Sequence, residues 1–246
     1  MYPISMRMEG RSAAVTGGGR VALRKLRRLL EEGAAVTVIA PEVLPEIKEL
    51  AAAGCLVWHQ AVQEDFIWQR GAFALVFAAA DNPQANRMAC RQAREAGALV
   101  NNATDPEDCD FFVPASIRRG ELELTVGTGG GSPAFARLLR QDMEARYHEE
   151  FGDFLTWLTE FRQELMVSEN CTRDRQRLWR QAMQLPIFDL ILHHRLEQAK
   201  DEIRREISGA GAESSNSTGG DSGKVQHTSG KDCSGAGTAG GSRGAE

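Results

Sequence analysis

Three stretches of this 246-residue chain hold residue types whose spacing could do chemistry. The strongest is Ser12–Lys25, S-A-A-V-T-G-G-G-R-V-A-L-R-K, in which Gly17, Gly19 and Ala22 form a G-x-G-x-x-A pattern. Gly17 permits a tight turn, Gly19 lets the backbone approach phosphate, and small Ala22 lets the helix pack closely on the strand. Arg20 and Val21 then open a helix, whose unpaired N–H groups and partial positive charge suit a pyrophosphate. The chemistry is dinucleotide binding. Glu42, following Pro41 at the end of the next apolar run, stands where a carboxylate would take the adenosine ribose. A carboxylate there disfavours a 2′-phosphate, so NAD is expected rather than NADP. Arg20, Arg24 and Lys25 pull the other way, although cations on an opening helix are as readily solvated.

The second stretch is split. Ala80-Asp81-Asn82 follows the fourth apolar run and Asn101-Asn102-Ala103-Thr104-Asp105 the fifth. In an open α/β sheet both would reach the ligand edge beside the glycine loop. Asp81 is read as a helix cap and a cofactor neighbour, Asp105 as a turn residue or a general base. The third stretch is Thr128-Gly129-Gly130-Gly131-Ser132-Pro133, leading to Arg137 and Arg140, with Arg118 and Arg119 shortly before it. A second helix N-terminus among arginines suits a substrate rich in carboxylates, or is a plain strand–helix connection.

Other chemistries find no support. Cys55, Cys90, Cys109, Cys171 and Cys233 are odd in number and never paired as C-x-x-C. Reduced thiols are therefore expected, with no disulfide framework and no metal site. No Ser-His-Asp spacing or Cys-His nucleophile stands out. His193 and His194 would point about 100° apart on a helix, and are read as surface residues. The net charge of -5 gives no help to nucleic-acid binding. No run nears the roughly 20 apolar residues of a membrane span, and the first residues lack a signal core. A soluble cytoplasmic protein is the expectation.

The elements that must position these residues follow from periodicity. Apolar runs Ala13–Thr16, Ala35–Ala40, Leu56–His59, Phe73–Ala79 and Ala98–Asn101 alternate with helical stretches Val21–Glu32, Leu44–Ala53 and Pro83–Ala96. That alternation predicts βαβ units and a parallel sheet. Asp81 or Asn82 is the cap of the third helix, with Pro83 in its first turn. Phe111–Ile117 and Glu121–Gly127 read as a hairpin joined by Arg-Arg-Gly, and Ser132 caps a further helix with Pro133 at its first position. Helix is predicted nearly throughout to Ile207. Its stripes Phe151, Phe154, Leu155, Leu158, Phe161, Leu165 and Ile187, Leu190, Ile191, Leu196 are core or a pairing surface. From Gly209 onward, 11 glycines and one large aliphatic residue, Val225, predict a disordered tail. The fold class is α/β, a Rossmann-like parallel sheet over residues 1–113, then a small α+β region over 114–146 and a helical domain over 147–208.

Four segments in order carry a resemblance. They are Tyr2-Pro3-Ile4, GGGRVALRK with LLEEGAAVTVIAP behind it, FAAADNPQANR, and DPEDCDFFVPASIRRGELELTVGTGGGSPAFARLLR. Together they resemble the precorrin-2 dehydrogenase/sirohydrochlorin ferrochelatase family, which includes the N-terminal half of bacterial siroheme synthase. The resemblance runs from residue 2 to about 165, more loosely to about 207, and leaves the tail without a counterpart. It implies a homodimer formed through the 114–146 region, and NAD⁺-dependent oxidation of precorrin-2 to sirohydrochlorin. In many members it also implies insertion of Fe²⁺ as a second substrate. Cofactor contacts would fall at Gly19, Arg20, Val21, Pro41 and Glu42, and the substrate's carboxylates would suit Arg118, Arg119, Ser132 and Arg137. The family commonly reads N-V-V-D where this chain reads N-N-A-T, so Thr104 occupies the aspartate position. Threonine cannot act as a base near neutral pH, which leaves adjacent Asp105 as the candidate and makes chelation doubtful. The alternatives are an NAD-dependent oxidoreductase acting on another polycarboxylate, and a non-catalytic NAD-sensing dimeric module.

Overall fold

Five short runs rich in Val, Ala, Leu and Phe pair as one parallel sheet. They are β1 (Ser12–Thr16), β2 (Ala35–Ile39), β3 (Leu56–His59), β4 (Leu75–Ala78) and β5 (Leu99–Asn102), in the order β3-β2-β1-β4-β5. The computed structural model describes residues 1–168, 177 and 179–215. Each strand lies within two residues of the run predicted for it. The central strands are buried on both faces, which is why they read as continuous apolar runs rather than alternating ones. Thr16 is level with Ile39 on one side and Ala78 on the other, and Ala78 with Asn102. The residues that follow β1, β2, β4 and β5 therefore leave the sheet in one row. Chain order reverses direction at β1 and β4, the switch point where open α/β sheets bind ligands.

Helices α1 (Arg20–Glu31), α2 (Pro45–Ala52) and α3 (Pro83–Glu95) cover the sheet. Ala22, Leu23, Leu26 and Leu29 make the buried stripe of α1 at helical spacing. One core layer holds Val15, Leu26, Val36, Val38, Ile47 and Phe77; the other holds Ala14, Ile39, Val76, Ala89, Cys90 and Val100.

The hairpin forms with different bounds. Its strands are β6 (Ala115–Arg119) and β7 (Leu122–Val126), and the turn is Gly120-Glu121 rather than Arg-Arg-Gly. Gly120 adopts φ +55°, which a two-residue hairpin turn requires and arginine would resist. Arg118 and Arg119 consequently lie in β6. Helix α4 (Pro133–Arg146) packs on the hairpin, and α5 (Glu150–Ser168) brings Gly152 against its turn. A Cβ at Gly152 would lie against the Arg119 carbonyl carbon at 2.6 Å, so α5 can approach only through a glycine.

Packing divides the chain into two compact units, Met1–Trp157 and Leu158–Glu246. In the second unit α6 (Ile187–Leu192) packs with α7 (Leu196–Ser215) through the buried residues Ile187, Leu190, Ile203 and Ile207. Helix α7 runs past Gly209, where the composition predicts the tail to begin. It continues to Ser215. Residues 216–246, including His227 and Cys233, lie outside the described residues, as does Cys171. No described helix is long and apolar enough to cross a membrane.

Candidate functional site

The glycine loop bridges β1 and α1 at the row of strand ends. The Gly17 N–H donates to the Ile39 carbonyl at 3.0 Å, and Gly17 adopts φ +97°. A Cβ there would meet the Ala79 carbonyl oxygen at 2.5 Å and the Ala80 nitrogen at 2.7 Å. Gly18, which the motif leaves unassigned, is equally constrained. Its Cβ would overlap the Glu42 carbonyl oxygen and sit 2.6 Å from the Val43 Cα, while its own carbonyl accepts from Leu44 at 2.9 Å. Gly19 differs from both. Nothing lies within 4 Å of where its Cβ would point. Two glycines thus close the loop onto neighbouring turns, and the third leaves its outer side open to a ligand.

Gly19 is also the N-cap of α1, and no side chain caps that helix. Helices α3 and α4 contrast with it, since Asn82 accepts from Gln84 and Ala85, and Ser132 accepts from Phe135. The first-turn N–H groups of α1 remain for an anion, with Arg20 and Val21 exposed around them. These groups fit a pyrophosphate. The contact between Gly18 and Glu42 brings the end of β2 beside the loop, and both Pro41 and Glu42 are exposed there. Lys25, a turn further along α1, lies near Phe77 and Cys109. Its ammonium lies 5.1 Å from the centre of the Phe77 ring, and burial, reinforced by Arg24, lowers its pKa.

Asn82 rather than Asp81 caps α3, because its side-chain oxygen reaches the Gln84 N–H at 2.9 Å. Asp81 is exposed in the turn beside Gly17. Asn86, fully buried, holds that turn. It accepts from the Ala80 N–H at 2.9 Å and donates to the Ala80 carbonyl at 2.8 Å. Its second donor reaches the Thr104 hydroxyl at 3.2 Å, so one side chain joins the turns after β4 and β5. Thr104 in turn donates to Asn102 Oδ1 at 2.8 Å. Asp105 accepts from the Glu107 N–H at 3.2 Å and caps the short turn Pro106–Asp108, which matches its reading as a turn residue. Beyond it, Arg94 pairs with Asp108 at 3.2 Å and Asp110 at 3.1 Å, and Asp110 accepts from the Val100 N–H. The hydrogen bonds to Asp110 raise the already high pKa of Arg94. Asn86, Asn102 and Gly18 are the site residues that motif reading misses. Asn86 was discoverable, because 86, 89, 90 and 93 form the buried stripe of α3 and a polar residue in that stripe needs partners.

The four candidate substrate residues are not equivalent. Arg118 pairs with Glu32 at 2.7 Å, and this contact raises its pKa. Arg119 donates to the carbonyls of Tyr147 at 2.8 Å and Glu144 at 3.2 Å, and pairs with Glu149 at 3.3 Å. Both arginines are engaged within the fold. Ser132 is half-buried and its hydroxyl caps α4, while Arg137 is exposed on that helix. His193 and His194 are both exposed at the end of α6, as expected. Cys55, Cys90 and Cys109 are free thiols.

Known proteins resemble this arrangement in sequence and in shape. Residues 4–115 match the family model described as putative NAD(P)-binding. A siroheme synthase of Methylobacillus flagellatus is 32% identical over 85% of this chain and 44% of its own length. One from Methylococcus capsulatus is 35% identical over 80% of this chain and 41% of its own. The solved structure of SirC, a precorrin-2 dehydrogenase, superposes with a TM-score of 0.65 at 28% identity, covering 83% of this chain and 100% of that one. Over most of its length the chain is thus similar to siroheme synthases and to a precorrin-2 dehydrogenase. It spans less than half the length of the siroheme synthases it matches, and the whole of the dehydrogenase. The segment that matches the NAD(P)-binding model contains the glycine loop and the uncapped start of α1.

Proposed function

We propose that this protein oxidises precorrin-2 to sirohydrochlorin with NAD⁺ as the hydride acceptor. The observation that carries the reading is the open side of Gly19 above an uncapped helix N-terminus, in a chain that aligns along the full length of a precorrin-2 dehydrogenase. Precorrin-2 loses a hydride and a proton, and NADH, a proton and sirohydrochlorin are formed. Bound NAD⁺ supplies the hydride acceptor. The chain's own residues position the reactants, and positioning alone can contribute much of such a rate.

Gly17, Gly19, Arg20 and Val21 would hold the pyrophosphate, with Gly18 fixing the loop. Pro41 and Glu42 would frame the adenosine ribose, where the carboxylate favours NAD over NADP. Asp81 faces the same edge. Asp105, with one backbone hydrogen bond and a half-exposed carboxylate, is the candidate to receive the proton, and neighbouring Thr104 is a contact rather than a base. Ser132 and Arg137 are better placed for substrate carboxylates than Arg118 and Arg119, which are tied to Glu32 and to the end of α4. Insertion of Fe²⁺ needs an acceptor for two pyrrole protons, and with Thr104 unable to act as a base only Asp105 is at hand, so chelation should be weak or absent. Exposed Phe135 and Leu138 on α4 suit a homodimer interface.

The test is anaerobic incubation with precorrin-2 and either NAD⁺ or NADP⁺, following sirohydrochlorin absorbance. Turnover with a preference for NAD⁺ is expected, with that preference reduced in Glu42→Ala and a clear loss of rate in Asp105→Ala. No turnover while NAD⁺ remains bound would overturn the reading.

A further inference from the structure

The polarity of the Thr104 hydroxyl can be worked out from its neighbours. Asn86 accepts from the Ala80 N–H at 2.9 Å and donates to the Ala80 carbonyl at 2.8 Å, which fixes which end of its amide is nitrogen. Its remaining hydrogen therefore points at the Thr104 oxygen, 3.2 Å away. Asn102 is fixed in the same manner, because its amide nitrogen faces the Asp108 carboxylate at 3.1 Å, and that carboxylate also takes Arg94. Its oxygen is left to accept both the Thr104 N–H at 3.1 Å and the Thr104 hydroxyl at 2.8 Å. A hydroxyl has one proton and two lone pairs. The proton is committed to Asn102, and one lone pair to Asn86. Thr104 is exposed as a residue, and its hydroxyl keeps one lone pair uncommitted, so what it can offer a ligand is a single acceptor site.

We infer that Thr104 is a substrate-binding residue that accepts a hydrogen bond from an N–H donor, with Asn86 and Asn102 as the positioning residues that fix its polarity. Both asparagines are buried, and Asn86 is also anchored to the turn that Gly17 leans on. The acceptor is thus held at a set place relative to the dinucleotide loop. A carboxylate or carbonyl of the ligand would be turned away here, because the site has no proton to give. The inference rests on the tetrapyrrole reading above, since the core of such a ligand presents pyrrole N–H groups and its rim presents carboxylates.

The experiment is an anaerobic absorbance titration of the full chain with sirohydrochlorin and, separately, with cobalt-sirohydrochlorin, whose core nitrogens bind metal in place of protons. Thr104→Val and Thr104→Ser are compared with the parent, and NAD⁺ binding and Tm are measured alongside. Loss of one neutral hydrogen bond predicts that Thr104→Val weakens sirohydrochlorin roughly 3- to 10-fold. Thr104→Ser should bind within about twofold of the parent, and the valine variant should show no penalty toward the cobalt form. An equal penalty for both ligands would reduce Thr104 to a structural role, and no penalty for either would remove it from the site; both overturn the inference. A parent that binds NAD⁺ but neither tetrapyrrole would overturn the functional reading itself, and this inference with it.

Discussion

Along the sheet edge, polar groups are paired into a frame around the open side of Gly19. In the hairpin Arg118 and Arg119 are tied inward, while Phe135 and Leu138 of α4 are 54% and 62% exposed. The first region is finished within one chain. Its asparagines, turns and glycines satisfy one another before any ligand arrives, which is the preorganisation that a hydride-transfer site needs. The second region is tied down by charge and leaves apolar side chains exposed. Its charges secure the hairpin to α1, through Arg28 with Glu123 at 3.3 Å and Arg118 with Glu32.

The comparison is broken most forcefully at the glycines. Gly17→Ala and Gly18→Ala each drive a Cβ into backbone, so each should destabilise the fold by about 3 kcal/mol or more, read as a large fall in Tm. Gly19→Val meets only open space and should keep its Tm within a few degrees while NAD⁺ binding is lost. A Gly18→Ala variant with parental Tm would show that the Glu42 turn can give way.

At the hairpin, Arg119→Met should cost about 2 kcal/mol, because it removes two hydrogen bonds to carbonyls at the end of α4. Arg118→Met removes an exposed pair worth under about 1 kcal/mol. Denaturant midpoints distinguish the two, and equal losses would contradict the packing described. If the outward face is an association surface, a Phe135→Ser/Leu138→Ser double variant should sediment as a smaller species with unchanged NAD⁺ affinity.

The smallest effect is chemical. Burial, helped by the nearby Asp108, pushes the Cys90 thiol up to about 12 from 9.0. The neutral thiol is the favoured form in the fold. Its contribution to stability is therefore complete below pH 9.0 and is lost as pH rises from there toward 12. Iodoacetamide at pH 8 should label exposed Cys55 and spare Cys90 in the native protein, as read by peptide mass spectrometry. Equal labelling would indicate an opened α3.

Much of the sheet edge was legible in advance, because its signals are local. Strand ends, the glycine loop, and the Ser132-Pro133 helix start each depend on a few adjacent residues. Gly18 was not legible, since its need for glycine comes from Glu42 and Val43, which the loop meets only once β2 is in place. Asn102 depends on Asp108 and Thr104 in the same way. The hairpin turn was misplaced because two arginines read as exposed turn residues, whereas the positive φ at Gly120 decides the turn. Arg118 and Arg119 looked free for an anion for a related reason. Nothing local announces Glu32 or the end of α4 as their partners. Asp81 lost the cap to Asn82 by one position, a distance over which both side chains have the right chemistry.

The most direct measurement is a coupled stoichiometry. The parent and Gly19→Val are incubated anaerobically with precorrin-2 and NAD⁺, and NADH and sirohydrochlorin are quantified together. The account predicts one NADH per sirohydrochlorin from the parent, and neither product from a Gly19→Val protein that still melts as the parent does. Sirohydrochlorin formed without NADH, or a parent that binds NAD⁺ and forms neither product, would contradict it.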